Sequence, residues 1–277
     1  MIGVAAAGCS ERRPKPPPES APADTNTPRQ PVDSIATGEP YGAFAYVDTS
    51  GSLLLALSSP GDAARIRAAL CAEGRAFPVT FDHRQAASPA DNGRQIAANL
   101  ANEAGDVFRA EGNATPNETC LLTADTLLRL AHPLTLERRG TPECDAHTRG
   151  QLRDARARAV VACWTLATSE RSVMLVQYEP RGADALASVA VLVGSRFVFL
   201  DFAAKIDNAE GDTWRVGDAG KLSAEGFDFL LLMEGPGLLV LGIGWAAEEG
   251  QSLTLAIART TGDFKRVIED YRYWVPQ

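Results

Sequence analysis

From residue 160 onward the chain reads as strand. Residues 160–166 and 173–178 are runs of β-branched and aromatic side chains, and residues 186–193 and 196–202 flank Gly194-Ser195, a two-residue hairpin signal. Alternation in the last run puts Phe197, Phe199 and Asp201 on one side and Val198, Leu200 and Phe202 on the other. Both faces of that strand are therefore expected to be covered. Residues 227–233, 238–245 and 252–257 continue the pattern, with turns at Gly235-Pro236-Gly237 and Glu248-Glu249-Gly250. Leu238-Leu239-Val240-Leu241 is apolar on both faces, the mark of an inner strand. The end of the chain fits two periods. Phe264, Val267, Ile268 and Tyr271 have helical spacing, whereas Tyr271 and Tyr273 alternate as on a strand.

The first half has fewer clear runs. Residues 42–47 and 52–57 predict a hairpin around Asp48-Thr49-Ser50-Gly51. A helix is predicted next: Ser59 suits an N-cap, Pro60 the first helical position, and Asp62 the first turn. Ile66, Leu70 and the intervening alanines supply its packing face, and Gly74 ends it. Ser88-Pro89-Ala90-Asp91 repeats the device ahead of Ile96 and Leu100, predicting a second helix up to Gly105. Leu127, Leu128 and Leu130 suit a short helix stopped by His132-Pro133, and residues 151–158 a charged helical lead-in. The expected fold is α+β, with helices mainly in the first half and predominantly antiparallel β-sheet in the second.

Residues 10–40 carry no such pattern. They hold eight of the 17 prolines, and their large apolar side chains are only Val32 and Ile35, too few to offset the entropy of ordering. An extended, disordered tether is expected there. Just ahead of it stands Cys9, behind Ala6-Ala7-Gly8. Small residues before a lone cysteine, followed by a tether, resemble the lipobox of bacterial lipoproteins. The resemblance covers only the first few residues. It implies that Cys9 is acylated, that a lipid bilayer is its partner and that the protein sits in the cell envelope. In that family Ser10 after the cysteine is compatible with sorting to the outer membrane, facing the periplasm. Eight residues precede Cys9 and none is Lys or Arg, so residues 1–8 read as the remnant of a signal peptide that begins upstream. The expected division is residues 1–8, a signal remnant; 9–40, the lipidated cysteine and tether; and 41–277, a globular α+β domain with a sub-boundary near 150.

The domain's 237 residues (277 − 40) suffice for one large domain or two small ones. A formal charge of −8 argues against nucleic acid as a partner, since such binders present a basic face. The apolar stretch 227–247 is no membrane span, because Asp228, Glu234 and the Gly-Pro-Gly turn interrupt it. Cys71, Cys120, Cys144 and Cys163 are disulfide candidates in an oxidising envelope. Of their three connectivities, Cys71–Cys120 with Cys144–Cys163 closes the shortest non-overlapping loops. The spacing Cys144-x-x-His147 is a competing metal signal without a second close pair of ligands, so neither a metal nor another cofactor is expected.

Catalytic signatures are sparse: G-x-S-x-G, S-x-x-K and H-E-x-x-H are all absent. Asp82-His83, read as a loop after residues 77–81, has the makings of an oriented base, although a surface histidine beside an acid is far commoner. Asp207, Glu210, Gly211 and Asp212 faintly resemble a calcium loop but read as an acidic turn, with Trp214 behind it as a face for glycan. The expectation is a membrane-anchored, non-catalytic binding or assembly protein whose partner is an envelope protein or a glycan. The alternative is an envelope hydrolase or metal-dependent enzyme built on His83, His147 or the 207–212 turn.

Overall fold

A computed structural model describes residues 42–135, 137, 140–168, 170–206, 212–215, 218, 220–259 and 262–274. Cys9, the tether and residues 207–211 lie outside them. Strands β1 (Gly42–Val47), β2 (Leu53–Ala56), β3 (Ile66–Leu70), β4 (Ala76–Gln85), β5 (Gly105–Ala110) and β6 (Thr119–Ala124) close into an antiparallel barrel in the order β1-β2-β5-β4-β3-β6. Barrel diameter grows with strand number, so six strands leave little room inside. The buried cluster enclosed there is accordingly rich in small side chains, with Ala43, Ala45, Ala69 and Ala110 beside Leu54, Ile66 and Phe108. The Cys71–Cys120 disulfide belongs to the same cluster, its Cα atoms 4.3 Å apart.

The narrow barrel explains the first failure of the α+β expectation. The alanines of the segment after Ser59 are not helix formers on a packing face but small residues on and around β3. Residues 88–105 fail as a helix for a different reason. Ser88 Oγ accepts from Ala90 N, Asp91 Oδ1 from Gly93 N, and Asn92 Oδ1 from Arg94 N. These local side-chain bonds hold the backbone in turns and compete with a helix; only a 3-10 stretch, Ala97–Asn102, remains. The protein is therefore mostly β. Its α-helices among the described residues are α1 (Asp125–Leu130) and α2 (Ala146–Arg156), and neither is long and apolar enough to cross a membrane.

Past the barrel, the two-residue strand β7 (His132–Pro133) follows α1. Strands β8 (Val160–Thr168), β9 (Ser172–Arg181), β10 (Asp184–Val193) and β11 (Arg196–Lys205) form a meander in the order β11-β10-β9-β8. Strands β12 (Phe227–Gly235), β13 (Leu238–Ala247), β14 (Gly250–Arg259) and β15 (Lys265–Tyr273) form a second sheet in the order β15-β14-β13-β12-β7. The ambiguous C-terminal segment is thus a strand. All pairings are antiparallel, and the turns fall where the glycines placed them.

Alternation along these strands sorts the side chains into layers. Val189, Val198 and Leu200 of the four-stranded sheet pack against Leu232, Leu241 and Ile243 of the five-stranded sheet. The opposite face of the five-stranded sheet carries Met233, Val240, Leu253 and Leu255, which meet Phe44, Leu70 and Leu121 on the outside of the barrel. The outer face of the four-stranded sheet buries Phe197 and Phe199 with Leu152 of α2 and the Cys144–Cys163 disulfide. The described residues belong to one compact unit, and β7 pairs with β12 across the change of character near residue 150.

Leu241 lies at 0% exposure between the two sheets. Leu241→Asp would place a carboxylate there without water or a partner, at a cost of several kcal/mol. The variant is expected to be insoluble or unfolded, as read by soluble yield and circular dichroism.

Candidate functional site

The barrel-facing side of the five-stranded sheet changes from apolar to polar at one end. Register places Gln251 of β14 opposite Arg272 of β15, and Asp228 of β12 opposite Gly244 of β13. The Gln251 side chain passes over the Gly244 position to donate from Nε2 to Asp228 Oδ2 at 2.8 Å. A Cβ at Gly244 would lie 2.3 Å from that nitrogen, so glycine there is what admits the crossing. Between this polar end and the barrel rim lies a cleft of about 460 Å³. Its barrel wall comes from the start of β6, with Glu118 and Thr119, and from the loop that carries Arg94 and Ile96.

Arg272 binds the two walls together. It is 3% exposed. Its Nε donates to Gln95 O at 2.9 Å, Nη1 to Asn117 O and Thr119 Oγ1 at 2.8 and 2.9 Å, and Nη2 to Asn117 Oδ1 at 2.6 Å. Four of the five guanidinium N–H groups are thereby used. Cζ lies 5.0 Å from the centroid of the Tyr46 ring and 5.3 Å from that of Trp274, close enough for cation–π attraction to both. Among the described residues no carboxylate lies within ion-pair distance of it. Burial pulls the guanidinium down to about 10, so it remains charged at neutral pH. Tyr46 donates to Glu103 Oε2 at 2.5 Å, and burial, then that bond, push its phenol above the ordinary range.

The rim owes its shape to side chains bonded to backbone. Buried Asn99 donates to Asp91 Oδ1 and to Arg94 O, fixing the loop ahead of Ile96. Asn117 adopts a left-handed φ of 65°, a conformation asparagine tolerates better than most residues, and its Oδ1 also accepts from Ala97 N. Glu118 receives Arg75 Nη2 at 2.7 Å on both oxygens, and the backbone N–H groups of Ala72 and Thr115 as well. The cleft thus offers guanidinium groups, amides and already-paired carboxylates, an equipment for holding a ligand.

None of the residues singled out for chemistry lines the cleft. Asp82 and His83 stand on strand β4, not in a loop; His83 Nδ1 is 2.8 Å from Asp82 Oδ2, and Arg109 donates to the other carboxylate oxygen. His132 is on β7 and His147 on α2, both exposed. Among the described residues the one group of three metal-type ligands is Cys71, Glu118 and Cys120, and its two sulfurs are joined to each other. Cys144 is likewise bonded to Cys163, which removes the Cys144–His147 metal pair. Asp212 belongs to no such group among the described residues. Trp214 is half-buried against the inter-sheet core and its indole N–H donates to Phe202 O at 3.4 Å.

Sequence reading missed Arg94, Asn117, Asp228, Gln251 and Arg272. For Arg272 a signal existed. With residues 265–273 read as a strand, Ile268, Asp270 and Arg272 share one face, and a cation in line with a core position is a departure from apolar alternation. No protein-family model matches the chain, no curated protein matches its sequence and no solved structure matches its fold.

Arg272→Met keeps the stem but strips the donors from Gln95, Asn117 and Thr119. The expected loss is about 3 kcal/mol or more, read by denaturant unfolding. Gly244→Ala should cost less, about 1–3 kcal/mol, because the crowded group is the end of a flexible side chain.

Proposed function

We propose that the chain is a lipid-tethered protein of the cell envelope, held at the outer membrane on its periplasmic side by acylated Cys9. It acts by binding or assembly, and the cleft at the barrel rim is the surface it presents. The observation that carries this reading is the cysteine count. Of five cysteines, the four in the folded unit are spent in two disulfides, which leaves Cys9 behind Ala6-Ala7-Gly8 as the sulfur available for acylation. Two disulfides also fit an oxidising compartment better than the cytosol. More than one acyl chain on that sulfur and its amine would give stable anchoring, at about 0.8 kcal/mol per buried CH₂. A protein held at the membrane meets its partners by docking, which suits a ligand-holding cleft better than free diffusion would.

Expressed behind a lipoprotein signal, the protein should take up radiolabelled palmitate and fractionate with membranes. Cys9→Ser should abolish both. Uptake that persists in Cys9→Ser would remove the basis for the anchor.

A further inference from the structure

The chain is acidic, with a formal charge of −8, and the charged side chains lining the cleft are two cations, Arg94 and Arg272, and two carboxylates, Glu118 and Asp228. Glu118 is neutralised by Arg75, and the Asp228 carboxylate is hydrogen-bonded by the Gln251 amide. Arg272 makes no direct ion pair among the described residues, the Glu103 carboxylate acting on it only at longer range, and one N–H of its Nη2 is left over after the bonds to Asn117, Thr119 and Gln95. Arg94 stands exposed on the rim, and its guanidinium has no hydrogen bond or ion pair among the described residues. Its backbone, by contrast, is fixed at both ends, by Asn92 on the nitrogen and Asn99 on the oxygen. The loop therefore holds a free cation at the mouth of a cleft with a second cation at its floor.

The lining also has an apolar part, with Ile96 from the barrel-side loop and Leu230 and Trp274 from the sheet side. The volume, about 460 Å³, falls in the range of small-molecule sites, which are mostly apolar with a few fixed polar groups. We propose that this cleft is the binding site for a small ligand that joins an oxyanion to a flat apolar body. The oxyanion sits between Arg94 and Arg272, and the body lies against Trp274 and Ile96. Arg272 is held in advance by four hydrogen bonds and two rings, so little ordering entropy is lost at that end when the ligand arrives. Guanidinium groups suit both carboxylate and phosphate oxygens. This inference rests on the binding reading above but not on the anchor, and palmitate labelling of Cys9 is a separate readout that failure here would leave untouched.

The test uses the full chain and four probes of one shape: benzoate, phenylphosphate, benzyl alcohol and benzylamine, titrated by ligand-observed NMR and calorimetry. The two anions should bind at least about tenfold more tightly than the alcohol and the amine, and their own ranking identifies carboxylate or phosphate as the better head group. Arg94→Ala, which touches no packed network, should lower the affinity for the better anion about tenfold, or about 1.4 kcal/mol, while leaving the thermal midpoint in place. Equal binding of all four probes, absence of anion binding, or an anion affinity unchanged in Arg94→Ala would each overturn the proposal.

Discussion

A guanidinium removed from water must find acceptors, and the acceptors that Arg272 finds determine where the two halves of this molecule meet. They are Gln95 O, the backbone and side-chain oxygens of Asn117, and the Thr119 hydroxyl, all on the barrel side, while Arg272 itself belongs to the last strand of the five-stranded sheet. The apolar contact of Phe44, Leu70 and Leu121 with Val240, Leu253 and Leu255 supplies most of the attraction between those layers, but it has no direction. Hydrogen bonds from a planar, fixed fork do. Arg272 fixes the register together with the Tyr273–Gln95 and Ser58–Asp270 bonds beside it, and the cleft is the space left where that register keeps the polar end of the sheet and the rim apart.

What was legible in the sequence follows from which forces act locally. β-Branched runs broken by glycine turns mark β8 to β14, since both alternation and turn chemistry are short-range. The two-faced character of Phe197 to Phe202 and of Leu238 to Leu241 was readable for the same reason, and each strand does bury both sides. The first half misled because alanine means two things. On a helix it is the best former; inside a six-stranded barrel it is what fits. Only closure of the barrel, a long-range event, decides between them. The capped starts at Ser59 and Ser88 misled similarly, since Ser and Asp side chains bond backbone N–H groups in turns as readily as at helix ends.

The cleft was hidden for a stricter reason. Arg94, Asn117, Asp228, Gln251 and Arg272 are scattered over most of the folded chain, and all but Arg272 are unremarkable in their own windows. Their meaning depends on pairing: Gln251 matters because Arg272 is its neighbour on β15, and because Gly244 lies between it and Asp228. The residues that sequence reading did single out, Asp82 and His83, carry a conspicuous local motif, and the structure sets them on an open strand away from the cleft.

The order of the elements along the chain has its own consequence. Every strand of the barrel lies before residue 125, and the Cys71–Cys120 bond closes within that stretch. A chain made N-terminus first therefore has every strand of the barrel, and both cysteines of its fastener, before any strand of the five-stranded sheet has emerged except β7. Until β12 to β15 arrive, the outer face at Phe44, Leu70 and Leu121 is an unclaimed greasy wall. It serves first as a template for the strands that cover it, and for that interval it is also the place where an unfinished molecule is most open to capture by a chaperone. The cleft comes last of all, since its floor travels on the final strand.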